Sequence, residues 1–109
     1  MANSHSQRYL LIRFFTKDPI SAETVKQTVF RSVEDMLGKL GSAQMKARLI
    51  AFEQTTGRAV FRCDAGSAEK LRAAVALITH ANGKPAAAMV TRSSGTIKSL
   101  KLGIQRHRK

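Results

Sequence analysis

The fold is decided by residues 44–63, which read QMKARLIAFEQTTGRAVFRC. Residues 44–53 alternate in a strand-like pattern: Met45, Ala47, Leu49 and Ala51 fall on one face, and Lys46, Arg48, Ile50 and Phe52 on the other. Residues 54–57 form a short turn that ends in a glycine. Residues 58–63 then return as a second strand, so the stretch predicts a β-hairpin.

A strand and a helix are predicted before this hairpin. Residues 8–15, RYLLIRFF, are apolar and rich in aromatic and branched side chains, which is typical of a strand. Asp18-Pro19 interrupts the pattern, and Ser21 is suited to cap a helix. The helix is predicted over residues 22–40. Gly38 and Gly41 both mark its end, and Gly41 is the preferred stop. Its inward face is predicted from apolar residues at helical spacing: Val25, Val29, Val33, Met36, Leu37 and Leu40.

A second helix, a last strand and a last helix are predicted after the hairpin. Residues 64–67 break the chain, and the second helix is expected to end at Asn82-Gly83. Its predicted inward residues are Leu71, Ala74, Val75 and Ile78. A strand over residues 86–92 follows, and the turn Ser-Ser-Gly-Thr at 93–96 opens the last helix. That helix carries an apolar stripe of Ile97, Leu100 and Ile104.

This order predicts an α+β protein with a ferredoxin-like or RRM-like layout. Two split βαβ halves build a four-stranded antiparallel sheet with two helices packed on one face, and a C-terminal helix is added. At 109 residues the chain is expected to form one domain, residues 1–109. We expect residues 1–7 to be flexible and residues 105–109 to be a basic tail.

Charge is the strongest global signal. The net charge is +12, and residues 70–109 contain nine basic and no acidic side chains. Such an excess predicts a polyanionic partner, because neutralising phosphates releases counterions. A membrane partner is disfavoured, because a basic amphipathic helix with bulky aromatics is missing. The single cysteine, Cys63, is expected to be a buried small hydrophobe in a reducing compartment.

The sheet face that the helices leave open is predicted to be basic. With Leu10, Ile12 and Phe14 inward, the outward set is Tyr9, Leu11, Arg13, Phe15, Lys46, Arg48, Ile50, Phe52, Arg58, Val60 and Arg62. Basic side chains interleaved with aromatics suit nucleic-acid binding. The alternative is that the last helix or a protein partner covers this face. Recognition of single-stranded RNA by stacking of its bases on aromatic rings is a minor hypothesis. The third strand carries one aromatic residue, where RRM domains use several.

The turn before the last helix is the main predicted contact for an RNA backbone. Free N–H groups at a helix start attract anions, and a glycine there allows close approach. The predicted RNA-binding residues are Arg92, Ser94, Gly95, Thr96, Lys98, Lys101, Arg106, Arg108 and Lys109, followed by Arg13, Arg48 and Arg62. Neither a catalytic nor a metal-binding constellation is predicted, since no carboxylates flank the three histidines at suitable spacing.

Several short motifs in this order carry a family resemblance. They are Arg8-Tyr9-Leu10-Leu11, Gly38-Lys39-Leu40-Gly41-Ser42-Ala43, Val60-Phe61-Arg62-Cys63 and, most specifically, Ser94-Gly95-Thr96-Ile97-Lys98 with the basic ending. Together they resemble the Pop-five/Rpp-fourteen family, small protein subunits of archaeal and eukaryotic ribonuclease P.

The resemblance implies a non-catalytic subunit that supports the RNA of ribonuclease P in removing the 5′ leader from precursor tRNA. It implies ribonuclease P RNA, precursor tRNA and an Rpp-thirty-type protein subunit as partners. The protein is expected to form a homodimer or a heterotetramer. Divalent metal is expected on the RNA, with no cofactor in the protein. An archaeal subunit, favoured by the compact chain, would be cytoplasmic, and a eukaryotic one nuclear or nucleolar. The alternatives are a ferredoxin-like protein-interaction module and another basic RNP scaffold protein.

Overall fold

The computed structural model describes residues 6–97. The elements are β1 (Gln7–Thr16), α1 (Ala22–Met45), β2 (Arg48–Glu53), β3 (Arg58–Asp64), α2 (Ala68–Ala76), β4 (His80–Ala81) and β5 (Lys84–Ser94), with a 3₁₀ turn at Ala65–Ser67. The antiparallel sheet has the order β2-β3-β1-β5-β4. The α+β class is confirmed, but the described part has five strands rather than four. The predicted C-terminal helix lies outside the described residues.

The core lies between the two helices and one face of the sheet. Leu10, Ile12 and Phe14 of β1 are at most 4% exposed, as the alternation predicts. They share one cluster with Val25, Val29 and Val33 of α1 and with Leu71, Ala74 and Val75 of α2. Ile78, two residues after α2, belongs to the same cluster. Apolar burial on this side supplies most of the stabilisation. No helix within residues 6–97 has the length and apolar character needed to cross a membrane.

Helix α1 begins as predicted and ends later than predicted. The Ser21 hydroxyl accepts the amide hydrogen of Thr24 at 3.1 Å, which caps the first turn. Gly38 has φ +79° and interrupts the helix, which resumes and ends at Met45. The interruption rotates the second segment, so Leu40 is 75% exposed and Met45 is fully buried. Gly38, one of the two predicted end marks, thus interrupts the helix without ending it, and the preferred stop at Gly41 and the inward placement of Leu40 were wrong.

The hairpin differs from its prediction in two ways. Lys46 lies at the C-cap of α1 in a left-handed conformation, and Met45 is helical, so neither belongs to β2. The pairing of β2 with β3 then shifts register between Leu49 and Ala51. This bulge moves Phe52 onto the helix side of the sheet, where it is buried. Ile50 and Ala51 both lie on the other side and pack against Leu11 and Val60. The predicted outward placement of Lys46 and Phe52 on the open sheet face was wrong.

Asn82 and Gly83 form a strand turn rather than a helix stop. Helix α2 ends at Ala76, and the two residues have φ of +54° and +80° between β4 and β5. Two positive-φ residues between paired strands are the arrangement of a type I′ hairpin turn. This hairpin adds the short edge strand β4. That strand was not predicted, because the segment was interpreted as the end of a helix.

Candidate nucleic-acid interface

The sheet face opposite the helices carries two pairs of directly opposed arginines. Arg48 of β2 is paired with Arg62 of β3, and Arg58 of β3 is paired with Arg13 of β1. Residues opposite each other in antiparallel strands share a face. Arg92 of β5, paired with Leu11, joins them on this face. We call these five residues the arginine face: Arg13, Arg48, Arg58, Arg62 and Arg92.

Like charges opposite each other on a sheet are destabilising. Among the described residues, no carboxylate lies within 4.0 Å of the Arg48 or Arg62 guanidinium groups. Glu53 is paired with Arg58 at one end of the face, and its carboxylate accepts a hydrogen bond from the Thr56 hydroxyl at 2.7 Å. The arginine face is therefore electrostatically suited to an anion that bridges its strands.

The acidic side chains are concentrated elsewhere. Glu23, Glu34 and Asp35 lie on α1 and Glu69 on α2. The Glu23, Glu34 and Glu69 carboxylates form exposed ion pairs with Lys26, Lys39 and Arg72. The protein is thus polarised, with mixed charge on its helix side and arginines on its sheet side.

An apolar cluster occupies the centre of the arginine face. Leu11 and Val60 are 5% and 1% exposed, and Tyr9, Ile50, Ala51 and Ile97 pack against them. Ile97, the first residue of the predicted apolar stripe, lies on this cluster. Leu100 and Ile104, the rest of that stripe, lie outside the described residues.

The predicted phosphate-binding turn, residues 93–96, overlaps the end of β5, which extends to Ser94. The Ser94 hydroxyl accepts the amide hydrogen of Thr96, two residues further on, at 3.1 Å, which is the pattern of an ST-turn. The Thr96 amide therefore already has an acceptor. A guanidinium nitrogen of Arg8 comes within 3.9 Å of the position that a Cβ would take on Gly95. Arg8, placed by β1 rather than by proximity in sequence, adds positive charge that the sequence interpretation missed.

The structure brings some of the predicted residues together and leaves others outside its range. Arg13, Arg48, Arg62 and Arg92 share the arginine face, and Ser94, Gly95 and Thr96 lie at the end of β5. The remaining predicted contacts lie outside the described residues: Lys98, Lys101, Arg106, Arg108 and Lys109. The signal that could have added Arg8 is its position at the start of β1, antiparallel to the end of β5.

Cys63 lies in the core, as the sequence predicts. It is 1% exposed on the helix side of β3. Burial, with a smaller contribution from the negative charge of Asp64, raises the pKa of its thiol to about 11, while Arg8 opposes the shift. The thiol is protonated at neutral pH and serves packing.

The helices on one side of an antiparallel sheet and the arginines on the other define a basic α+β protein of the split-βαβ type. The model of the Rpp14/Pop5 family matches residues 8–104. This chain belongs to the Rpp14/Pop5 family.

Curated relatives are named ribonuclease P protein component 2. The protein from Pyrococcus horikoshii is 34% identical, and the alignment covers 86% of this chain and 78% of the relative. The Pyrococcus furiosus protein is 30% identical over 87% of this chain and 79% of the relative. A chain in the cryo-EM structure of yeast ribonuclease MRP is similar in fold, with a TM-score of 0.71 at 10% identity, covering 89% of this chain and 79% of that chain.

Proposed function

We propose that this protein is a ribonuclease P subunit that binds the RNA of that enzyme through its arginine face and the adjoining turn. Family membership and the names of the relatives support the assignment to ribonuclease P. The observation that carries the binding mode is the opposed pair Arg48 and Arg62, whose mutual repulsion a phosphate group would relieve.

The role is structural support of a catalytic RNA that removes the 5′ leader of precursor tRNA. Neutralised phosphates allow RNA segments to approach each other, and the cleavage chemistry, with its divalent metal, belongs to the RNA. In the archaeal setting of the named relatives, the protein would act in the cytoplasm.

The helix side is the proposed contact for an Rpp-thirty-type protein subunit. Leu40 and Leu77 are 75% and 62% exposed there, and Phe30 is 37% exposed beside Phe61. Exposed apolar residues on a surface of mixed charge favour a protein partner over a polyanion. Two copies of such a pair would form a heterotetramer.

The test is the double variant Arg48→Ala/Arg62→Ala, added to ribonuclease P RNA and the remaining protein subunits. We expect weaker RNA affinity, less precursor-tRNA cleavage at limiting protein, and a salt slope flatter by about 0.9 for each phosphate that the variant leaves unneutralised. The isolated variant should unfold at the same or a higher urea concentration than the wild type, because a like-charge pair has been removed.

The matched control is Arg31→Ala/Arg72→Ala, which removes the same charge from the exposed helix side. It should leave the salt slope within error of the wild type. Full cleavage and an unchanged slope in the Arg48→Ala/Arg62→Ala variant would contradict the proposed binding mode.

A further inference from the structure

One end of the arginine face exposes an aromatic ring. Phe15, near the end of β1, is 46% exposed, and its partner across the strands is Ala87 of β5. Met89, paired with Arg13, is 51% exposed beside it. Tyr9, the other aromatic that β1 presents on this face, instead packs into the apolar cluster with Leu11 and Val60. Phe15 is therefore the aromatic ring that this face of β1 leaves open.

The Phe15 ring already contacts a cation. The Arg13 guanidinium carbon lies 5.2 Å from the centre of the Phe15 ring, within the range of a cation–π contact. Arg13 is itself exposed, so the pair lies at the surface as a planar cation next to an aromatic plane. Nucleic-acid bases stack on aromatic rings and on guanidinium planes.

An open cavity of about 580 Å³ adjoins the pair. Arg13, Phe15, Lys17, Thr55, Gly57 and Pro85 contribute to its lining. The carboxylate of Asp18, which also borders it, lies 4.0 Å from the Lys84 ammonium group. This compensation leaves Arg13 and Lys17 as the dominant charges, which suits an aromatic ligand that carries a phosphate.

We propose that Phe15 and Arg13 hold one unpaired base of the RNA by stacking, with its backbone passing Lys17. This proposal rests on the proposed function and narrows it to an RNA segment with a free base. Bases in an RNA duplex are stacked on each other and cannot reach a ring on a sheet, so an unpaired nucleotide is required. A phosphate alone would gain nothing from the exposed Phe15 ring.

The experiment uses tryptophan fluorescence, because the chain contains no tryptophan. The full-length Phe15→Trp protein is titrated with ribonuclease P RNA, with single-stranded oligoadenylate and with an RNA duplex of matched length. We expect quenching by the first two and little by the duplex. Leu77→Trp, on the helix side and 62% exposed, is the control that RNA should not quench.

Affinity measurements separate stacking from simple apolar contact. Phe15→Leu should weaken binding of ribonuclease P RNA by roughly 5- to 150-fold, which is the effect of removing one base stack. Phe15→Tyr keeps an aromatic ring and should retain the wild-type affinity. The salt slope should stay at the wild-type value, since the variant neutralises as many phosphates as the wild type. A failure of the proposed function would instead show as an unchanged slope in the Arg48→Ala/Arg62→Ala variant.

Two outcomes would overturn the stacking site. One is wild-type RNA affinity in Phe15→Leu, together with an unquenched tryptophan in the Phe15→Trp protein. The other is wild-type RNA affinity in Phe15→Leu with weakened assembly of the other protein subunits, which would make this patch a protein contact.

Discussion

At the scale of single residues, Gly57 links the hairpin turn to β1. Its carbonyl accepts the Phe14 amide hydrogen at 2.7 Å, and its own amide donates to the Glu53 carbonyl at 3.0 Å. Gly57 has φ +73°, and a Cβ there would lie 2.5 Å from the Phe14 carbonyl oxygen. The position thus demands glycine for two independent reasons, backbone conformation and lack of space.

We predict that Gly57→Ala lowers the free energy of unfolding by about 3 kcal/mol or more, combining left-handed strain with a backbone clash. The control is Gly83→Ala, where φ is +80° but nothing lies within 4 Å of the added Cβ. Strain alone should cost that variant about 1–2 kcal/mol. Urea unfolding of both variants checks the difference, and equal losses of stability would show that the backbone at Phe14 relaxes without cost.

At the scale of elements, the two helices are joined by a polar contact as well as by apolar packing. The Ser32 hydroxyl of α1 donates a hydrogen bond to the Ala74 carbonyl of α2 at 2.6 Å. This carbonyl lies in the last turn of α2 and also accepts the Leu77 amide hydrogen at 3.2 Å, so the Ser32 hydroxyl is its second donor. The bond therefore fixes the end of α2 against α1.

We predict that Ser32→Ala lowers the free energy of unfolding by about 1 kcal/mol, because the variant loses one partly buried hydrogen bond between the helices, although the Ala74 carbonyl keeps the Leu77 amide hydrogen. Ser42→Ala is the matched control, since its hydroxyl bonds to Lys39 within α1 and is exposed. The midpoint of urea unfolding should fall in the first variant, and the free energy of unfolding should stay within about 0.5 kcal/mol of the wild type in the second. Equal midpoints would mean that the bond between the helices adds no net stability.

At the scale of the whole molecule, charge and fold act together. The helices take most of the carboxylates, and the sheet collects arginines that are distant in sequence. Ile97 follows β5 and packs on the apolar centre of the sheet face.

We predict that Lys98→Ala/Lys101→Ala weakens binding of ribonuclease P RNA and flattens its salt dependence by up to about 0.9 for each phosphate left unneutralised. The control Lys26→Ala/Lys70→Ala removes the same charge from α1 and α2. Binding isotherms over a series of salt concentrations measure both slopes. An unchanged affinity and slope in the Lys98→Ala/Lys101→Ala variant would remove these lysines from the interface.

Local pattern alone determined the class of the fold, the inward face of β1 and the basic character of the open face. Alternation and helical spacing depend only on which side of an element is apolar, and Leu10, Ile12, Val25 and Leu71 follow that rule. The existence of a basic surface follows likewise from composition.

Only the tertiary structure decided where the patterns break. Helix α1 resumes after Gly38 and buries Met45 as a helical rather than a strand residue, the bulge after Leu49 turns Phe52 inward, and Asn82-Gly83 forms a strand turn. Each depends on a partner segment, because register and helix direction are set by what an element packs against. The same long-range pairing placed Arg48 opposite Arg62 and left Phe15 exposed, two features of the proposed RNA surface that spacing along the chain does not encode.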